Sequence, residues 1–459
     1  MIPKNKLYLT SEDFPQYQDE IGRQLDAEDK INGITRTPFK LSETEDDMRT
    51  KNITFVVTER CNLNCTYCYE THKTGRRMTK EIAKEAVDCI LDAERMKGYY
   101  DAEFSNSVII EFIGGEPLLE IDLIDYICEY FKAQVIRKNH PWRSHYMFNL
   151  TTNGVLYRSK KVQDYLKKNK GHVSVGITID GNKRLHDACR LFPDGSGSYD
   201  IVEDAVKDWI KYDNASQTKI TLSPENVMYT NEALANVFNI GVKGAFTNCV
   251  FEEGWELEHA RILYDQMIDL ADWMIDEHQY DKHYCSLFDE TIGHEVTETR
   301  NWCGGNGSML AVAPDGKLFS CIRFMKYSLN NQPEKPIGDI WNGADSQDPF
   351  LKCMRCITMQ SQCRHEDNKK CLTCPIGSGC ALCTGYNYDR FGAPDHKATF
   401  ICDMHRARVL ANVYYWNKLY QHLGLEKSFD LNLDDETALR IVTADELKTL
   451  KGMVKHYDE

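Results

Sequence analysis

At 459 residues, 42% of them hydrophobic, the chain is long enough for two or three domains and can fill more than one core, so disorder is not its default. A formal charge of −15 excludes a general nucleic-acid binder, which needs a basic surface against phosphate, although a local basic groove would be invisible in this sum. The first twenty residues hold no signal-peptide run and no later stretch reaches the ~18 apolar residues of a membrane span. The expectation is a cytosolic protein, without membrane attachment, whose eighteen cysteines serve as metal ligands or redox groups and not as a disulfide framework.

Residues 1–50 read as an N-terminal extension. From residue 53 short β-branched runs alternate with longer amphipathic ones, the pattern of a parallel sheet with crossover helices. The strand candidates are ITFVV from 53, SVIIEF from 107, YMFNLTT from 146, VSVGITI from 173, KITLS from 219 and AFTNCV from 245. After the first, TKEIAKEAVDCILDAERMKG predicts a helix with Ile82, Ala86, Ile90 and Ala93 on one face and Gly98 as its left-handed cap. Further helices are expected at 119–137, 159–168, 200–211 and 231–238, and EHARILYDQMIDLADWMID closes the series. The α/β region over 51–254 thus holds six βα units, an incomplete barrel, with a helical connector over 255–300. Chemistry in such sheets collects at the C-terminal strand ends. The unusual residues fall there: the Cys61 loop, Gly114-Gly115-Glu116-Pro117, Thr152-Asn153-Gly154 and Asp180-Gly181.

Near residue 301 the character changes, because ten of the eighteen cysteines lie between Cys303 and Cys402 among loop-forming stretches such as NNQPEKP and PIGSGC. A small metal-held domain is expected over 301–405, then a helical tail over 406–459 in which Thr443-x-x-Glu446 is a capping box. Cys89 and Cys128 fall on apolar helix faces and read as core residues, whereas Cys189, Cys249 and Cys285 carry no motif.

Cys61, Cys65 and Cys68 crowd into eight positions with no fourth cysteine nearby. Structural zinc takes four ligands, and adding His72 gives no familiar spacing. Three thiolates can instead hold three irons of a four-iron cluster and leave the fourth iron open. At Gly114-Gly115-Glu116-Pro117 a bare backbone permits close approach of a ligand and Glu116 can accept from an ammonium; the other reading is a plain strand-to-helix turn with an acid at the helix N-terminus. Farther along, Cys353-x2-Cys356 followed fourteen residues later by Cys371-x2-Cys374 has zinc-ribbon spacing, but a ribbon leaves Cys303, Cys321, Cys380, Cys383 and Cys402 unexplained.

With Tyr67 at its aromatic position, the Cys61–Cys65–Cys68 run resembles the CxxxCxΦC motif of the radical S-adenosylmethionine (SAM) superfamily. The resemblance implies a partial (β/α)6 barrel and a cluster whose open iron chelates the amino and carboxylate groups of SAM, the electron-driven cleavage giving a 5′-deoxyadenosyl radical. It places Tyr67, Gly114, Gly115 and Glu116 at the cofactor. VGITIDG and HDACRLFPDGSGSYD resemble the SxDG, His-Asp, Arg and GxGSF segments of peptide-modifying members, with Thr178 where serine is usual. By that likeness Asn153, Thr178 and Ser223 line the SAM ribose and methionine, and Asp180 and Arg190 face the substrate. On the residues alone, a simple Asp180-Gly181 turn with Arg190 paired to Asp187 or Asp194 is equally open.

Cys303, Gly316 before Cys321, Cys371-x2-Cys374-x5-Cys380-x2-Cys383 and Cys402 resemble the seven-cysteine SPASM extension, with two residues before Cys383 where three are usual. The resemblance implies two auxiliary four-iron clusters, three clusters in all: Cys303, Cys321 and Cys383 for the first auxiliary cluster, and Cys371, Cys374, Cys380 and Cys402 for the second. Cys353, Cys356 and Cys363 are additional, and either one of them closes the first auxiliary cluster or its fourth iron stays open.

Members with this extension mostly modify peptides or proteins. Sulfatase-maturating members carry an aspartate directly after the cysteine equivalent to Cys321, whereas Ile322, Arg323 and Phe324 follow it here, which disfavours formylglycine formation. The expectation is an anaerobic oxidoreductase that matures a ribosomally made, cysteine-containing precursor peptide by a thioether crosslink, with a carbon–carbon crosslink as the alternative. The implied partners are a flavodoxin- or ferredoxin-type reductant and, because only about 50 residues precede the core, too few for a small domain, a separate leader-recognition protein. The competing non-enzyme reading, an iron–sulfur or zinc electron carrier or redox sensor, has no use for an open iron beside Gly114–Pro117.

Overall fold

The computed structural model describes residues 50–97, 99, 107–213, 216–252, 254–296, 303–345, 347–357, 366–371 and 373–455. The N-terminal extension up to residue 49, the Gly98 cap, the end of the connector at 297–300, the following Asn301 and Trp302, and Cys363 lie outside them. In chain order the elements are β1 (Lys51–Thr58), α1 (Lys80–Ile90), β2 (Val108–Gly114), α2 (Ile121–Arg137), β3 (Tyr146–Thr152), α3 (Lys160–Lys168), β4 (Val173–Ile177), α4 (Lys183–Cys189), α5 (Tyr199–Tyr212), β5 (Gln217–Leu222), α6 (Thr230–Ile240), β6 (Gly244–Cys249), α7 (Leu257–Asp276) and β7 (Tyr284–Cys285). Four short strands follow, β8 (Met309–Val312), β9 (Lys317–Phe319), β10 (Gly338–Asp339) and β11 (Gly343–Ala344), and then the helices α8 (Pro349–Cys356), α9 (Thr384–Phe391), α10 (Cys402–Leu423), α11 (Asp435–Ala438) and α12 (Ala444–Met453). No helix among the described residues is long and apolar enough to cross a membrane.

The chain divides into two compact units. The first takes the described residues within 1–62, 69–176 and 304–356, and the second those within 63–68, 177–303 and 357–459. Residues 304–356 thus group with the N-terminal strands.

The first unit is built on a mixed sheet in the order β11-β10-β9-β8-β1-β2-β3-β4. β1 lies parallel to β2 on one side and to β8 on the other, so its KNITFVVT sequence is buried on both faces apart from a partly exposed Asn52. Phe55, Phe112 and Phe148 meet across β1, β2 and β3 with ring centroids 6.0 and 6.3 Å apart. α1 starts where expected, with the Thr79 hydroxyl accepting from Ile82 N–H, but it ends at Ile90 and not near Gly98. Asp92 ends it: its side chain accepts from the backbone N–H groups of Glu94 and Arg95 and so substitutes a turn for the next helical rung, taking Ala93 out of the helix.

The second unit holds the parallel sheet β5-β6-β7. The six expected strands thus fall into two sheets. Side-chain bonds replace ladder bonds at the break, since Ile179 N–H donates to Thr218 Oγ1 and that hydroxyl donates to the Ile177 carbonyl. α7 packs with α10, Tyr414 and Lys418 both reaching Asp272 at 2.7 Å.

The expected capping box opens α12: Thr443 N–H donates to Glu446 at 2.7 Å and Glu446 N–H to Thr443 Oγ1 at 3.3 Å. Arg261 of α7 adds two bonds to the same carboxylate, at 2.6 and 2.7 Å. The Arg261 bonds, reinforced by Thr443 against partial burial, hold the Glu446 pKa down at about 2. A depressed carboxylate contributes stability that is complete above its unfolded value and is lost as pH falls through the folded one. Glu446→Gln is therefore expected to cost about 1 kcal/mol at neutral pH, discounted for the one-third exposure of both partners. The gap between variant and wild type in denaturant titrations should close as pH falls from about 5 toward 2; a gap constant with pH contradicts the assignment.

Candidate active site and cluster-binding cysteines

In the first unit the chain leaves β1 at Thr58 and runs through Glu59 and Arg60 to Cys61. Against this exit lies the end of β2, where Gly115 N–H donates to the Thr58 carbonyl at 3.0 Å and Glu116 N–H to the Arg60 carbonyl at 2.8 Å. The approach leaves no room for a side chain: a Cβ on Gly115 would stand 2.3 Å from the Arg60 carbonyl oxygen, and one on Gly114 2.1 Å from that of Thr58. The two glycines thus seat the start of the cysteine loop.

Glu116, 1% exposed, caps the turn at Pro117–Glu120 by accepting from Leu118 N–H, and also accepts from Thr152 Oγ1 at 2.7 Å and Asn153 N–H at 2.8 Å. Both its oxygens are engaged by the chain itself, which ties the ends of β2 and β3 together. Asn153 is thereby aimed at the cysteine loop, its amide donating to Asn62 Oδ1 at 2.7 Å and lying 3.9 Å from Cys61 Sγ. Arg323 lies over the Tyr69 ring at 4.7 Å, and Cys321 precedes the short turn that carries it. Sequence reasoning missed Glu70, whose pKa rises to about 7 because burial outweighs Lys73, 3.5 Å away.

In the second unit Cys65, Tyr67 and Cys68 form a turn, Cys68 N–H donating to the Cys65 carbonyl. Asn64 N–H and Thr66 N–H bond the carbonyls of Leu191 and Cys189 at the end of α4. The Tyr67 hydroxyl donates to Asp180 and accepts from Arg190 Nη1 at 2.7 Å, while Arg190 and Asp180 stand 3.8 Å apart. Arg190 is thus paired with neither Asp187, which accepts from Tyr199 N–H, nor Asp194, which accepts from Ser196. Burial raises the Tyr67 and Asp180 pKa values, with Arg190 opposing in both cases.

His186 organises this group. Burial, aided by Arg190, lowers its pKa to about 3, so the neutral ring accepts Asp180 N–H at Nδ1 and donates from Nε2 to Ser198, whose hydroxyl donates to the Arg190 carbonyl. The glycine of the G-S-Y segment is also accounted for, since a Cβ on Gly197 would strike the Asp187 carboxylate at 2.1 Å. Half-buried Thr178 follows β4, and Ser223 follows β5 with its N–H on Asn226. Asp180 Oδ1 and Arg190 Nε are buried without a hydrogen-bond partner, polar capacity that suits a charged or polar group of a bound molecule.

The second unit also holds most of the later cysteines. Cys303 Sγ lies 3.1 Å from the hydroxyl of Thr384, the residue after Cys383, and Cys383 Sγ accepts from Tyr386 N–H at the start of α9. Lys397 Nζ sits 3.1 Å from Cys380 Sγ. Burial disfavours its ammonium, but Cys380, Cys371 and Cys402 more than offset this and its pKa is raised. The Cys402 thiol is pushed up to about 11 by burial and by Cys380 and Cys371. Cys374 turns directly after Cys371. This sulfur-rich set fits an iron–sulfur cluster, which is held by cysteine thiolates. No three Cys, His, Asp or Glu side chains among the described residues form a ready-made site for a single metal ion. Cys353 and Cys356 are exposed on α8 in the first unit.

Comparison with known proteins agrees with these features. Residues 55–234 match the radical SAM superfamily, and residues 303–375 match the SPASM iron–sulfur cluster-binding domain. The chain thus carries a radical SAM domain and a SPASM domain. It is 23% identical to the radical SAM cyclopropyl synthase TigE of Paramaledivibacter caminithermalis over 81% of this chain and 75% of that one. It is 25% identical to AlbA, the antilisterial bacteriocin subtilosin biosynthesis protein of Bacillus subtilis, over 61% of this chain and 56% of AlbA. Its fold is similar to that of anSMEcpe solved with AdoMet and the Cp18Cys peptide, with a TM-score of 0.57 at 17% identity over 81% of this chain and 99% of that one.

Proposed function

We propose that the protein is a radical SAM maturase of a ribosomally made precursor peptide and that it joins a cysteine sulfur of that peptide to a carbon of a nearby residue. The observation that carries the reading is the Cys61–Cys65–Cys68 run, three thiolates without a local fourth, leaving β1 against a glycine pair that admits no side chain. With its cluster and SAM bound, such a site supplies a 5′-deoxyadenosyl radical that takes a hydrogen atom from the substrate. Around it Gly114 and Gly115 seat the loop, Glu116 aims Asn153 at Cys61, and the buried Tyr67, Asp180 and Arg190 group fixes the loop's second half. Thr178 and Ser223 complete the proposed cofactor lining, Asp180 and Arg190 the substrate side. Cys303, Cys321 and Cys383 are assigned to one auxiliary cluster, Cys371, Cys374, Cys380 and Cys402 to the other.

A thioether forms with loss of two hydrogens: one leaves as the atom carried off by 5′-deoxyadenosine, the other as the thiol proton with one electron passed to an acceptor. The electron that cleaves SAM comes from a flavodoxin- or ferredoxin-type reductant. The likeness to a cyclopropyl synthase over most of the chain favours carbon–carbon bond formation as the second reading. Both are tested by searching beside the gene for a short cysteine-rich open reading frame and incubating the reduced protein with SAM and the peptide it encodes. A product lighter by two hydrogens whose cysteine resists alkylation supports the thioether; the same mass loss with an alkylatable thiol supports the carbon–carbon bond. Unchanged peptide mass despite 5′-deoxyadenosine formation contradicts both for that peptide.

A further inference from the structure

Lys397 has an unusual partner. Only 6% exposed, it is the kind of buried lysine that needs compensation, yet among the described residues no carboxylate pairs with it and its ammonium lies 3.1 Å from Cys380 Sγ. Its backbone is clamped by the fully buried Asn368, which accepts from Lys397 N–H at 2.9 Å and donates to the Lys397 carbonyl at 2.8 Å. Asn387, also buried, holds the flanking residues by donating to the Pro394 carbonyl and accepting from Ala398 N–H. Two asparagines thus fix the turn that leads into Cys402, and the lysine is held on the sulfur.

We propose that Lys397 is a positioning residue for the auxiliary cluster assigned to Cys371, Cys374, Cys380 and Cys402, its ammonium set on the Cys380 sulfur so that this cluster takes up an electron more readily. The proposal rests on the auxiliary-cluster reading above. Hydrogen bonds to the ligating sulfurs and local net charge are main determinants of iron–sulfur potentials. Reduction adds negative charge, which a fixed ammonium stabilises more than it stabilises the oxidised cluster. Removing the charge should therefore make the cluster harder to reduce.

The test is a redox titration of the reconstituted full chain, followed by electron paramagnetic resonance, with iron counted in the same samples. The signal to follow is the one that Cys402→Ala deletes. In Lys397→Gln and Lys397→Met its reduction equilibrium should shift at least tenfold toward the oxidised form, about 59 mV for one electron, with iron unchanged and the other signals unmoved. Lys397→Arg should restore most of the shift. An unmoved midpoint at full iron content overturns the proposal. So does loss of that cluster's iron in Lys397→Gln, Lys397→Met and Lys397→Arg alike, which would make the residue necessary for assembly. Wild-type protein with iron for one cluster only would instead overturn the auxiliary-cluster reading itself, and the proposal with it.

Discussion

Replacing Cys61, Cys65 and Cys68 together with alanine is expected to reduce SAM cleavage, read as 5′-deoxyadenosine formed in the dithionite-reduced protein, to the level of a protein-free control. The reason is chemical before it is structural. A four-iron cluster held by three thiolates keeps one iron for an outside ligand, and alanine at all three positions leaves the 61–68 run no thiolate of its own. The backbone of the loop is held independently of its sulfurs, by Thr58 and Arg60 carbonyls in the first unit and by Asn64 and Thr66 N–H groups in the second, so the triple variant should fold. Iron should fall by about four atoms per chain while the remaining iron stays with the later cysteines. Cleavage at the wild-type rate in the triple variant would show that the site lies elsewhere.

That much of the site was legible in the sequence because its chemistry is local. A cysteine run, a glycine pair and a turn after each strand are short-range signals, and YMFNLTT, read as a strand from residue 146, is strand β3 residue for residue. The misreading is a case where a side chain competes with the backbone over a short distance: Asp92 ends α1 early, although Ala93 continues the apolar period. What the pattern could not give was partnership over a hundred positions: Arg190 has nearby Asp187 and Asp194, yet it bonds the Tyr67 hydroxyl, 123 positions away. His186 and Ser198 were visible as part of a recognisable segment, but their relay from Asp180 N–H to the Arg190 carbonyl needs the fold to be seen.

Gly115→Ala should be the most damaging single-atom-scale change at the site. The added methyl would stand 2.3 Å from the Arg60 carbonyl oxygen, 2.5 Å from its carbon and 2.8 Å from the Glu59 oxygen, all backbone atoms that cannot rotate away. Relief requires the end of β2 to draw back from the loop, stretching the bonds from Gly115 N–H to Thr58 and from Glu116 N–H to Arg60. Glu116 then carries the displacement onward, because its carboxylate holds Thr152 and Asn153 and through them the amide beside Cys61. Overpacking of this kind costs about 1–3 kcal/mol of stability, which a chain of this size can absorb. Misplacement by about 1 Å at a reacting centre costs about 100-fold in rate, so SAM cleavage should fall by at least that factor while the cooperative unfolding transition survives. Gly452→Ala is the control: a Cβ there meets nothing within 4 Å, it lies inside α12, and the substitution should leave cleavage unchanged and add up to about 1 kcal/mol of helix stability. If Gly115→Ala cleaves SAM as fast as Gly452→Ala does, the close seating of the loop on the β2 end is not what positions the cofactor.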